Sequence, residues 1–161
     1  MIIAGFDPGS KVFGIGIIQK KGSDFKYLMS EELKFPNLDF VDKMKILISR
    51  ISELFETFTI DHTVIEDGFL GKNVSSMNTL SKIRGVVLAV TIEKNLKITF
   101  YSPREIKKSV TGNGNADKEQ VMRGVKMLLG EQNLSLSYDE SDALAVAICH
   151  SMTKRKDELI K

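Results

Sequence analysis

Asp7, Glu66, Asp139 and Asp142 are the side chains whose placement most strongly suggests chemistry. Asp7 closes the apolar run Ile2-Ile3-Ala4-Gly5-Phe6, and Glu66 closes His62-Thr63-Val64-Ile65. Asp139 and Asp142 lie three residues apart, a spacing that puts both on one face of a helix. Four carboxylates sharing a site repel and raise one another's pKa unless cations neutralise them. Hard oxygen donors, with no thiolate cluster and only two histidines, favour Mg²⁺ or Mn²⁺ over zinc. A pair of such ions about 3.5–4 Å apart stabilises both the attacking and the leaving oxygen of a phosphodiester. No Ser-His-Asp set accompanies the acids, and His62 and His150 are expected to be structural, one at a strand start and one late in a helix.

Each acid also has a plain reading. An Asp before Pro-Gly starts turns, and an acid in the first turn of a helix stabilises the macrodipole by ~0.3–1 kcal/mol, which covers Asp139. Asp142 is harder to explain that way. It lies further into its helix, beside the small apolar run from Ala143 to Ile148, where an uncompensated charge is costly.

The elements that must position these acids follow from hydrophobic periodicity. Ile2 to Asp7 reads as a short buried strand, Val12 to Lys20 as a second after the turn Asp7-Pro8-Gly9-Ser10, and Phe25 to Leu33 as a third. Tight connections make these three antiparallel. Gly14 and Gly16 would let another backbone or a ligand come close. From Asp39 the period changes: Val41, Met44, Ile48, Ile51, Leu54, Phe55 and Phe58 argue a long amphipathic helix. His62 to Glu66 is a strand, Val74 to Lys94 a helix and Lys97 to Tyr101 a fifth strand. Ser102-Pro103-Arg104-Glu105 carries a capping box with Pro at the first helical position. Gly112-Asn113-Gly114-Asn115 breaks that helix, Asp117 to Leu129 resumes one, and Ser137-Tyr138-Asp139-Glu140 opens the last. The expected fold is α/β: a five-stranded mixed sheet with helices on both faces, with strand-helix-strand crossovers making the later strands parallel, an order that matches the ribonuclease-H-like architecture but does not by itself separate it from other α/β layouts.

A chain of 161 residues is about one domain's worth, and no repeat or linker divides residues 1–161. The single cysteine, Cys149, excludes an internal disulfide and a thiolate metal site, and points to a reducing compartment. Met1 to Phe6 has no basic leader and meets Asp7 too early for a signal peptide, and no apolar run approaches the ~18 residues of a membrane span. The expectation is a cytoplasmic protein, with residues 151–161 as a tail that is ordered or frayed. Net charge is only +2, so a strongly basic nucleic-acid binder is excluded on average. Between Asp67 and Lys108, however, eight basic residues face three acidic ones, a local excess of +5 that suits a polyanion.

Taken in order, these pieces resemble the RuvC family of Holliday-junction resolvases over nearly the whole chain, from Ile2 to about His150. The resemblance is carried by Gly5-Phe6-Asp7-Pro8-Gly9-Ser10, Ile65-Glu66 with Phe69 and Lys72-Asn73, and Arg84-Gly85. It continues through Tyr101 to Lys107, Gly112 to Lys118, and Asp139 to Ala147. It implies a homodimeric, Mg²⁺-dependent endonuclease, with two ions per site and Mn²⁺ as a substitute. Such an enzyme cuts opposed strands of a four-way DNA junction to leave 5′-phosphate and 3′-hydroxyl ends, alongside a RuvA/RuvB-type branch-migration complex. Asp7, Glu66, Asp139 and Asp142 fall on the family's catalytic, metal-binding acids, and Lys107 and Lys118 on its lysines near the scissile strand. Phe69 falls on an aromatic used at the junction centre, while Lys72, Arg84 and Lys108 are expected DNA contacts. Lys108 beside Lys107 leaves open which of the two acts. Three other readings are weighed against this one. A YqgF-type nuclease shares the early Asp-Pro-Gly and a late Asp, but not the segment from Gly112 to Lys118. An actin-like sugar kinase needs two such domains. A non-catalytic junction-binding module would not need its acids.

Overall fold

The computed structural model of the chain describes residues 1–35, 37–68 and 74–153. Strands β1 (Ile2–Asp7), β2 (Val12–Lys21) and β3 (Asp24–Lys34) form an antiparallel meander; β4 (His62–Glu66) and β5 (Lys97–Tyr101) continue the sheet in parallel. The strand order is β3-β2-β1-β4-β5, which puts β1 at the centre. A strand covered on both faces reads as a continuous apolar run, and β1 does so because Ile3 faces one core while Ala4 and Phe6 face the other.

Helices α1 (Phe40–Thr57) and α2 (Val74–Glu93) cover the face of Phe6, Ile15 and Ile65. Helices α3 (Pro103–Thr111), α4 (Lys118–Leu129) and α5 (Tyr138–Met152) cover the face of Ile3, Ile18 and Val64. Capping boxes at Ser102 and Ser137 form as expected, and Asp117 closes a third with Gln120, so that α4 starts at Lys118. In α1 the inward stripe is Met44, Leu47, Ile51 and Leu54. Val41 and Ile48, expected inward, are 60% and 43% exposed. Leu47 takes the place expected of Ile48, because adjacent helical residues point about 100° apart and only one can lie on the stripe.

The α5 backbone lies directly on the sheet. Gly5 and Gly16 are opposite each other across β1 and β2, and Gly14 is opposite Asp7. A Cβ on Gly16 would stand 2.6 Å from the Leu144 amide nitrogen, and one on Gly5 2.7 Å from that of Ala147. One on Gly14 would run into the carbonyl of Asp139. The expected close approach at Gly14 and Gly16 is therefore made by the last helix. Its small residues, Ala143 and Ala147, complete the contact. Because backbone atoms cannot rotate away, Gly16→Ala is expected to cost about 2–3 kcal/mol, the upper range for overpacking. Denaturant unfolding followed by circular dichroism measures this, and an unchanged midpoint would show that α5 yields freely.

Candidate active site

The parallel register pairs Phe6 with Ile65, so the next residues, Asp7 and Glu66, stand on adjacent strands at the same sheet edge. Side chains alternate along a strand, so Asp7 shares the face of Ile3 and Glu66 that of Val64, both toward α3, α4 and α5. The glycine bed brings the first turn of α5 down beside β2 at Gly14, opposite Asp7. The Ser137 capping box fixes where α5 begins, with Asp139 in its first turn and Asp142 three residues on. Three segments distant in sequence, β1, β4 and the start of α5, thus meet at one edge.

Their charges act on each other strongly. Burial holds the Asp7 carboxyl well above the usual carboxylate range, reinforced by Glu66, Asp142 and Asp139 and opposed by Lys118. Burial likewise pushes Glu66 up to about 7, with Asp142 adding to the shift and Arg84, Lys107 and Lys118 opposing it. Asp142 is raised by burial, against the pull of Lys118. For Lys118, burial acts downward, but Asp142, Asp139 and Asp7 outweigh it and its ammonium is held above the ordinary range. Lys118 Nζ lies 3.4 Å from Asp142 Oδ2 and 5.8 Å over the Tyr138 ring. A lysine at the first position of a helix opposes the macrodipole, so the carboxylates rather than helix stability account for its place at the start of α4.

Helix α3 turns its paired lysines to different surroundings. Lys107 is half-buried and its charge acts on both Glu66 and Asp142. Lys108 is exposed and lines a surface groove with Ser102, Arg104, Glu105 and the loop from Gly112 to Gly114. Arg84, expected at the DNA face, is turned inward instead. Its side chain is 13% exposed and bonds to the carbonyl oxygens of Glu66 and Gly68. Phe69 and Lys72 lie outside the described residues, as do residues 154–161 of the tail. His62 and His150 are buried and stacked with centroids 3.9 Å apart; His62 shares a hydrogen bond with Thr99 and His150 with Tyr101. Tyr138 beneath Lys118 was missed in the sequence, where it looked only like part of a capping box.

The donor set suits a hard divalent cation. It is all oxygen and half-buried, and burial with mutual repulsion pushes Asp7, Glu66 and Asp142 toward protonation despite the nearby lysines. Among the described residues, no three His, Cys, Asp or Glu side chains form a closed metal-binding group as placed. Asp7 nonetheless feels the charges of Glu66, Asp139 and Asp142 across this edge.

Comparison with known proteins gives a consistent result. The family model described as crossover junction endodeoxyribonuclease RuvC matches residues 3–150. A protein of that name from Christiangramia forsetii is 37% identical over 161 residues, covering 99% of this chain and 84% of the relative. One from Cytophaga hutchinsonii is 40% identical over 154 residues, covering 95% of this chain and 77% of the relative. A solved structure, T. thermophilus RuvC in complex with Holliday junction substrate, superposes with a TM-score of 0.87 at 27% identity, covering 94% of this chain and 93% of that one.

An acid whose pKa is raised on folding costs stability once it is charged. That cost is absent below the unfolded value of 4.5, grows as pH rises, and is complete above about 7. In chelator-containing buffer, Glu66→Gln is expected to be more stable than the parent at pH 8 by about 1–3 kcal/mol, with the difference vanishing near pH 4. Thermal melts across pH check this, and a variant less stable at pH 8 would mean that Glu66 is held by favourable contacts.

Proposed function

This chain belongs to the RuvC family of crossover junction endodeoxyribonucleases, and from that premise we propose that it resolves four-way DNA junctions by hydrolysing opposed phosphodiesters. The observation that carries the reading is the meeting of Asp7, Glu66, Asp139 and Asp142 at one sheet edge, with Lys107 and Lys118 acting on the same carboxylates. Asp7, Glu66, Asp139 and Asp142 would hold two Mg²⁺ ions per site, with Mn²⁺ able to substitute. When bound, such ions neutralise the carboxylates, polarise the scissile phosphate and make water acidic enough to attack at neutral pH.

The chain's own groups divide the remaining work. Glu66 accepts a hydrogen bond from the attacking water and aims it at phosphorus. Water oxygen bonds to phosphorus as the bond to O3′ breaks; the proton that the water gives up to solvent is matched by the one that O3′ takes from solvent, giving a 3′-hydroxyl and a 5′-phosphate. Lys107 and Lys118 offset the charge that builds on the phosphoryl oxygens. Lys108, on the outer side of α3, is read as a backbone contact further along the strand. Phe69 and Lys72 follow the Glu66 strand in sequence and are read as junction contacts, Phe69 by stacking on a base, worth ~1–3 kcal/mol in single-strand binders.

A homodimer fits the substrate, because a two-fold axis presents two identical sites to a nearly two-fold junction. Gly85, Ala89 and Ile92 lie along the outward face of α2, where Ile92 is 60% exposed and nothing stands within 4 Å of a Cβ on Gly85. That face suits close helix packing between subunits. A RuvA/RuvB-type motor and a cytoplasmic location complete the proposal. Among the described residues, no helix is long and apolar enough to cross a membrane.

A mobile synthetic junction tests the reading. Binding is expected with Ca²⁺ or Mg²⁺, and paired, ligatable nicks only with Mg²⁺ or Mn²⁺. An intact junction under every divalent ion, across varied core sequences, would defeat it. Glu66→Gln is expected to stop cutting at least 10³-fold while binding in Ca²⁺ persists, a loss of about 4 kcal/mol of transition-state stabilisation. The lysines separate likewise: Lys107→Ala is expected to slow single-turnover cutting on the order of 10²-fold. Lys108→Ala should instead weaken binding and lower the salt slope by about one. Equal effects would remove the distinction between the two sides of α3.

A further inference from the structure

Past Glu66 the β4 ladder ends, and the carbonyls that follow need donors from elsewhere. Two come from one side chain on the opposite face of the sheet. Arg84 of α2 donates from Nε to the Glu66 carbonyl oxygen at 3.2 Å and from Nη2 to that of Gly68 at 2.6 Å. Its Nη1 stands 3.6 Å from Asp67 Oδ1. From the other side, the Asp67 amide donates to the Tyr101 carbonyl at 2.8 Å. Residues 66–68 are therefore held between α2 and the end of β5.

This grip bears directly on the Glu66 carboxylate. A Cβ on Gly68 would lie 3.2 Å from Glu66 Oε1 and 2.8 Å from Pro103 Cγ, so the Gly68 backbone passes beside both the carboxylate and Pro103 with no room for a side chain. Gly68 thus forms one wall of the space that the carboxylate occupies, and any movement of residues 66–68 moves the Glu66 main chain that carries it. Only a rigid fork with separate donors reaches two carbonyls and an acid at once; an ammonium on a flexible stem does not.

We propose that Arg84 is the positioning residue of Glu66, clamping the backbone of residues 66–68 from the far face of the sheet without touching DNA. The inference rests on the reading of Glu66 as part of the cleavage site. Arg84→Lys and Arg84→Ala test it beside the parent protein, with folding checked by circular dichroism. Junction binding in Ca²⁺, and its slope against log salt, are expected to match the parent in both variants. Single-turnover cutting at saturating protein in Mg²⁺ is expected to fall about 10²-fold in both, the scale of a misplaced reacting group. Ethylguanidinium is expected to restore cutting by Arg84→Ala several-fold, and ethylammonium to leave it unchanged. If Arg84→Ala fails to fold, Arg84→Lys decides by its binding and cutting rates.

Three results would overturn the proposal. Parental cutting rates in a folded variant would remove the positioning role, and full activity in Arg84→Lys would show that charge alone suffices. A salt slope reduced by about one, with binding weakened in step, would make Arg84 a phosphate contact. A parent protein that cuts no junction would fail the functional reading itself, whereas a parent that cuts alongside unaffected variants fails only this inference.

Discussion

The arrangement depends on how closely one helix backbone can approach two strands. α5 rests on β1 and β2 with nothing between their main chains, because Gly5, Gly14 and Gly16 have no Cβ to hold it off. A layer of ordinary side chains would keep helix and sheet roughly 10 Å apart. Carboxylates as short as those of Asp139 and Asp142 would then lose their hold on Asp7. The glycines set the depth of α5, and the Ser137 capping box sets where it starts. Depth and start together place two of the four acids.

The charges assembled this way work against the fold. Burial and mutual repulsion raise Asp7, Glu66 and Asp142, so the folded chain at neutral pH carries carboxylates that would ionise more readily in the unfolded state. Lys118 offsets part of this from an unfavourable place at a helix start, and Lys107 adds its field from α3. Destabilised charge of this kind gathers where ligands bind, because a cation that relieves it is held by the same free energy. The apolar cores on both faces of the sheet, with Phe6, Ile15 and Leu144 fully buried, supply the stability that tolerates it.

The two faces of the sheet have different tasks. The α3–α5 face carries the acids and lysines, while the α1–α2 face carries a core and one guanidinium that reaches the edge from behind. From the sequence, Arg84 reads as a DNA contact within a basic stretch. Its neighbours Ile83 and Val87 are fully buried, which draws the Arg84 stem down with them until its head meets the carbonyls at the end of β4. Lys107 and Lys108 show the opposite case. Adjacent on one helix, they diverge by about 100° and so meet different surroundings.

Local rules were enough to read the elements and their ends. Short apolar runs between turn residues marked the strands, a 3.6-residue period marked the helices, and Ser102 and Ser137 announced their capping boxes, because these signals arise between residues a few positions apart. The places of Asp7 and Glu66 at strand ends, and of Asp139 at a helix start with Asp142 three residues on, were legible too, since the pattern locates those ends. In α1, by contrast, periodicity did not distinguish Leu47 from Ile48; packing against the sheet decided which one turned inward. Tertiary structure alone also decided the inward turn of Arg84, the division between Lys107 and Lys108, and the stacking of His62 on His150. The reason is the same in each case. The direction of a side chain is set by partners far away in sequence, and a single chain of letters does not encode those distances locally.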